Sequence, residues 1–183
     1  MPLIGDHAPE FHAMTTQGKI DFPADYKGSW VVLFSHPADF TPVCTTEFIA
    51  LSKMNETFES LNTKLIGLSI DSLHSHLGWI KSIEALNFNN EGKVKIPFPI
   101  IADISMNVAR KCGMLQTVAN TQTVRAVFII DPEGMIRTIL YYPMSTGRNI
   151  PEIIRILQSL QLNDKTHYST PANWQPGDAV VMG

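Results

Sequence analysis

The longest uninterrupted apolar runs in this chain, Trp30 to Phe34 and Ala126 to Ile130, are five residues each. Runs of that length are strand-sized, too short for a buried helix and far short of the roughly 18 residues a membrane-spanning helix needs. Trp30-Val31-Val32-Leu33-Phe34 therefore reads as a buried strand. Ser35 to Thr41 is a loop broken by Pro37, and a helix then starts with Thr41 as N-cap and Pro42 at its first position. Phe48, Leu51, Phe58 and Leu61 recur at spacings of three and seven and give that helix one apolar face.

The same reading continues along the chain. A short mixed segment covers Phe11 to Phe22, with a turn signal at Gly18. Lys64 to Ile70 is a strand ended by Asp71-Ser72, and Leu73 to Leu86 is a helix despite Gly78. Pro97 to Ala102 is a short strand, and Ser105 to Gly113 a short helix stopped by glycine. Arg125 to Ile130 and Met135 to Tyr142 form a hairpin about the turn Asp131-Pro132-Glu133-Gly134. Ile150 to Leu162 is a closing helix. Strands and helices that alternate and end in a hairpin and a helix suit an α/β fold, a mixed central sheet flanked by helices. That order is compatible with a thioredoxin-like architecture. Residues 1–163 read as one domain, and 164–183, with Pro171, Pro176 and Gly177, as a short irregular C-terminal arm.

Hydrophobic residues make up 44% and charged residues 17%, the balance of a globular protein with a packed core. A formal net charge of -3 gives no reason to expect nucleic acid or an anionic membrane as partner. The N-terminus lacks the basic flank and apolar stretch of a signal peptide, and two cysteines are too few for a disulfide framework. A cytoplasmic location is the expectation.

The chemistry concentrates in His36-Pro37-Ala38-Asp39-Phe40-Thr41-Pro42-Val43-Cys44-Thr45-Thr46-Glu47. With Thr41 as cap, Cys44 is the third helical residue, among free backbone N–H groups at the positive end of the helix dipole. Such surroundings favour a thiolate, the nucleophilic form of the side chain. Taken singly, Glu47 is a favourable first-turn carboxylate, His36 a structurally satisfied or surface histidine, Arg125 an exposed strand-end charge and Cys112 a packing or surface thiol.

Pro37-x-x-x-Thr41-x-x-Cys44 resembles the active-site pattern of the peroxiredoxin family, and the whole string is similar to its one-cysteine branch. The resemblance runs from Gly5-Asp6-x-Ala8-Pro9-x-Phe11 to Pro171-Ala172-Asn173-Trp174, nearly the whole chain. It implies a thioredoxin fold and reduction of hydrogen peroxide or organic hydroperoxides through a Cys44 sulfenic acid. By the same resemblance Thr41, Pro37 and Arg125 join Cys44 in catalysis. Thr41 would supply a hydroxyl, Pro37 would shield the sulfur, and Arg125 would place a permanent cation against thiolate and leaving oxygen. Glu47 would orient Arg125, His36 would line the site and Arg148 would support it. No cofactor is implied.

Two-cysteine relatives carry a resolving cysteine just before a Pro-Ala motif, where this chain has Thr170 in Ser169-Thr170-Pro171-Ala172. A hydroxyl forms no disulfide, so the expected partner is an external thiol reductant such as thioredoxin or glutathione. Relatives form dimers, some built into rings, so a homodimer or higher ring is expected. One-cysteine relatives usually continue into a small C-terminal domain, whereas this sequence stops at Gly183.

Other activities fit less well. His74 and His76, two apart on a helix, point to different faces, which argues against a metal site there. No Cys-x-x-Cys is present. Ser29 lies in Lys27-Gly28-Ser29-Trp30-Val31, without the glycines of the Gly-x-Ser-x-Gly pattern associated with phospholipase activity in some one-cysteine relatives. The competing reading is a thioredoxin-like redox-sensing or chaperone module that oxidises once and does not turn over.

Overall fold

Residues 1–115 and 122–183 are described by a computed structural model, and they form two units, Met1–Arg148 and Asn149–Gly183. The first unit begins with a hairpin of β1 (Phe11–Thr15) and β2 (Gly18–Phe22), resolving the mixed segment into two antiparallel strands. There follow β3 (Trp30–Ser35), α1 (Pro42–Lys53), α2 (Asn55–Ser60), β4 (Thr63–Ser69) and α3 (Leu73–Ala85). The unit closes with β5 (Ile100–Ala102), α4 (Asn107–Cys112), β6 (Arg125–Ile130) and β7 (Ile136–Tyr142).

The seven strands form one mixed sheet in the order β2-β1-β5-β4-β3-β6-β7, flanked by helices. β3, β4 and β5 are parallel, in register from Trp30 opposite Thr63 to Ser35 opposite Leu68. β6 runs antiparallel to β3, with Phe34 opposite Val127. β3 is buried along its whole length, as its unbroken apolar run requires of a strand covered on both faces.

Alternation along the strands separates two cores. Val31, Leu33, Ala126, Phe128 and Ile130 face one way, into a cluster that includes Val108, Ala109 and Cys112 of α4. Phe34 faces the other way, its ring 5.5 Å from Phe48 and 5.6 Å from Phe98. Opposite Phe34 the strand carries Gly67, where a Cβ would come within 3.3 Å of both the Phe34 and Phe48 rings. Glycine there lets α1 lie close against the sheet.

Several element boundaries differ from the sequence reading, each for a local reason. The single helix expected to reach Leu61 breaks at Met54 into α1 and α2, next to Asn55 and Thr57, two residues of low helix propensity. The strand expected from Pro97 starts at Ile100, because Pro97 and Pro99 have no N–H for the ladder. The helix expected from Ser105 starts at Asn107. Met106 takes a left-handed φ of 60°, and the Asp103 carboxylate receives the N–H groups of Val108 and Ala109.

In the second unit, α5 (Ile150–Thr166) carries Pro151 in its first turn, and its Asn149 cap accepts from the Glu152 N–H. The helix runs four residues beyond the expected Leu162, since neither glycine nor proline interrupts it before the left-handed His167. The residues after α5 include paired two-residue strands, β8 (Tyr168–Ser169) and β9 (Val181–Met182). Trp174 is buried and its carbonyl accepts from Arg155 Nη1 at 3.1 Å. Among the described residues no helix is long and apolar enough to cross a membrane.

Candidate active site

β3 delivers the chain to His36 at the C-terminal edge of the sheet, and α1 returns from Pro42 with Cys44 in its first turn. Thr41 is the N-cap residue by backbone conformation, but its side chain does not cap the helix. Its hydroxyl donates to Ala38 O at 2.7 Å, while its carbonyl accepts the first helical bond, from Thr45 N–H at 3.0 Å. The N–H groups of Val43 and Cys44 precede that ladder. Pro37 is buried, and Cys44 has no exposed surface.

Arg125 begins β6 on the face opposite Ala126 and Phe128, and so reaches α1 rather than the α4 core. Its Nη1 donates to Cys44 Sγ at 3.2 Å and to Glu47 Oε2 at 2.9 Å, and its Nε donates to Met144 O at 2.9 Å. Glu47, one turn after Cys44, is shared with Arg148, whose Nη1 also donates to Ser35 O and Ala126 O at 2.8 and 2.9 Å. The Arg148 guanidinium stacks 5.5 Å over the Phe34 ring. Burial by itself would raise the Glu47 carboxyl, but the charge and hydrogen bonds of Arg148, with Arg125 behind them, hold it below the usual carboxylate range. Two cations and one anion thus share a buried site, with net positive charge beside the sulfur.

The structure brings Cys44, Arg125, Glu47 and Arg148 into one bonded network. His36 is placed beside that network, with its ring packed edge-on against Phe48 at 4.9 Å. The sequence reading missed the partners of His36. Asp39 Oδ1 lies 2.7 Å from His36 Nε2, and Asp39 Oδ2 lies 2.6 Å from His76 Nδ1. Only the three-residue step from His36 to Asp39 hinted at this. His74 and His76 part ways as their spacing required, with His76 buried and His74 exposed.

Cys112 lies in the core on the other face of the sheet, 1% exposed. Burial, with Asp103 adding to it, pushes its thiol up to about 12. A cleft lined by His7, Phe22, Tyr26, Lys111 and Pro132 shares no residue with the Cys44 site.

A cysteine at a helix start thus faces an arginine that a buried glutamate holds in place, on a thioredoxin-like fold. Comparison with known proteins agrees. Residues 4–139 match the AhpC/TSA family, and residues 159–182 match the C-terminal domain of 1-Cys peroxiredoxin. A peroxiredoxin of Methanosarcina mazei is 61% identical over 184 residues, covering 100% of this chain and 84% of its own. One of Hyperthermus butylicus is 52% identical, covering 98% and 75%. A yeast mitochondrial 1-Cys peroxiredoxin, solved in work on its thiol resolution via glutathione and thioredoxin systems, superposes with a TM-score of 0.91 at 45% identity, covering 100% of this chain and 87% of its own. A cysteine-to-serine mutant of peroxiredoxin 6 of Arenicola marina gives 0.91 at 39%, covering 100% and 84%. The chain belongs to the peroxiredoxins of the AhpC/TSA family, in their one-cysteine branch. It is a thiol-dependent peroxidase.

Proposed function

We propose that Cys44 is the sulfur oxidised by hydrogen peroxide or an organic hydroperoxide, and that an external thiol restores it. The 3.2 Å contact between Arg125 Nη1 and Cys44 Sγ carries this reading, because it sets a fixed cation against the one cysteine at a helix start. The thiolate attacks the terminal peroxide oxygen and forms a S–O bond as the O–O bond breaks. Sulfur loses two electrons, and the leaving oxygen takes a proton to become water or an alcohol. Arg125 stabilises the charge that grows on that oxygen, and the N–H groups of Val43 and Cys44 add to it. Thr41 Oγ1, its own proton committed to Ala38 O, accepts the hydroxyl of the incoming peroxide. Pro37 walls the site without offering a donor. Glu47 and Arg148 hold Arg125, and His36 lines the site.

The sulfenic acid then meets a reductant thiol, giving a mixed disulfide and water, and a second thiol releases Cys44. Thr170, bonded to Ser159 through its hydroxyl at 2.5 Å, offers no sulfur for this step. Thioredoxin or glutathione is the class of reductant, as in the resolution of the yeast relative. A cytoplasmic site of action, a homodimer or higher ring, and a division into a peroxidase domain and a C-terminal arm complete the proposal. The test is peroxide consumption with thioredoxin, glutathione and dithiothreitol in parallel. Catalytic turnover supports an enzyme resolved by external thiol, whereas a single stoichiometric oxidation with every thiol supports a sensor.

A further inference from the structure

Beside the Cys44 network three buried groups form a chain of which the peroxidase reading uses only His36. His76 lies on α3, and its ring is fully buried. Its Nε2 faces the carbonyl of Ile101 at 3.0 Å, and its Nδ1 faces Asp39 Oδ2 at 2.6 Å. A carbonyl only accepts, so Nε2 carries a proton. The Nδ1–Oδ2 contact must hold another. Ser75 Oγ donates to the same Asp39 oxygen at 2.8 Å, and the Asp39 N–H is itself held by Asp71 Oδ2 at 3.1 Å. Asp39 is thus fixed through its backbone and both carboxylate oxygens.

The other oxygen, Oδ1, receives His36 Nε2 at 2.7 Å. A carboxylate there demands the proton on Nε2, so the neutral His36 ring leaves Nδ1 as a bare lone pair. Burial lowers the proton affinity of His36, more than its bond to Asp39 restores, which agrees with a neutral ring. Burial would raise the Asp39 carboxyl, but the hydrogen bonds from His36 and His76 hold it far below the usual range. His36 Nδ1 is buried and has no hydrogen-bond partner among the described residues. A buried acceptor left without a donor is costly, and in native proteins it marks a role or an absent partner. The His36 ring packs on Phe48, which lies one helical turn beyond Cys44 on the same face of α1. The three groups also converge closely enough to suggest a metal site, but contacts of 2.6 and 2.7 Å between nitrogen and oxygen are those of shared protons.

We propose that Asp39 and His76 are positioning residues of the peroxidase, locking His36 in the Nε2–H tautomer so that Nδ1 stays available as a hydroxyl acceptor beside Cys44. The proposal rests on the reading of Cys44 as the reacting sulfur. A hydroxyl is what the reaction brings, since the oxygen transferred to Cys44 carries hydrogen in the peroxide and again in the sulfenic acid. His76 acts at one remove, holding the second oxygen of Asp39.

Nitrogen-15 histidine spectra of the reduced full chain test the tautomer without any substitution. The expected result is His36 protonated at Nε2 and bare at Nδ1, and a proton on Nδ1 would overturn the proposal. The first-turnover rate constant with hydrogen peroxide is then measured for Asp39→Asn, His36→Ala and the double variant. Asp39→Asn should lose the single His36 tautomer and fall about 10- to 100-fold, the range seen when an outer partner that orients a functional histidine is removed. If Asp39 acts through His36, the double variant falls no further than His36→Ala alone. Additive losses, or a wild-type rate in either single variant, would refute the assignment. Failure of the peroxidase reading itself looks different, because Cys44→Ser would then still turn over.

Discussion

Arg148 grips the Glu47 carboxylate with three donors: its backbone N–H and Nε reach Oε1 at 2.9 and 3.0 Å, and Nη2 reaches Oε2 at 2.6 Å. The grip matters because Oε2 also receives Arg125 Nη1, the nitrogen that faces Cys44. Arg148 therefore sets the position of Arg125 without touching the sulfur. Lysine cannot reproduce a paired contact with both oxygens. Arg148→Lys should lower the rate constant with peroxide while leaving the Arg125 charge in place, and stopped-flow oxidation would show it.

Breaking this buried network should also unfold the protein more easily. Glu47→Ala leaves two buried guanidinium groups without their shared anion, and loss of one partner from such a pair costs about 3–5 kcal/mol. Urea unfolding monitored through Trp79 and Trp30 fluorescence gives the number directly.

Acid should dismantle the same feature. The folded-state values of Glu47 and Asp39 lie below their ordinary ones, so the stability they contribute is fully present above the ordinary carboxylate range. It is lost as pH falls through that range toward the folded values. Wild-type stability is therefore expected to drop steeply below about pH 4, near the unperturbed carboxyl values. Glu47→Gln starts from lower stability at neutral pH and should show a shallower acid limb. Equal slopes in the two proteins would remove Glu47 from this account.

Arg125→Ala and Thr41→Val address the chemical step. Removing one preorganised group that meets developing charge or orients the reacting atoms typically costs on the order of a hundredfold in rate. Rapid-mixing rate constants near wild type for either variant would take that residue out of the mechanism.

Much of this arrangement was legible in the sequence because it is local. Trp30 to Phe34 leads through Pro37 into a helix start, and Cys44 and Glu47 follow one turn apart in its first turns. The strand pattern was legible because five-residue apolar runs have few other uses. What escaped depends on contacts that bridge distant segments. His76 meets Asp39 across 37 positions, and Arg148 meets Glu47 across 101. The spacing of His74 and His76 speaks only of faces of α3, whereas the partner of His76 lies in the loop after β3. Helix ends at Met54, Asn107 and Thr166 were misplaced because they depend on local backbone conformations and side-chain caps, not on apolar period.

Whether one sulfur per chain does the chemistry is the central claim, and the sheet itself argues for it. Arg125 and Cys44 lie on one face, and Cys112 lies in the core on the other, its thiol pushed up to about 12. Intact-mass analysis after one equivalent of peroxide, with a sulfenate-trapping reagent present, tests this most directly. A single trapped adduct on Cys44, with Cys112 unmodified, is the predicted result. Rapid, stoichiometric Cys44–Cys112 linkage, within a chain or between chains, would contradict it.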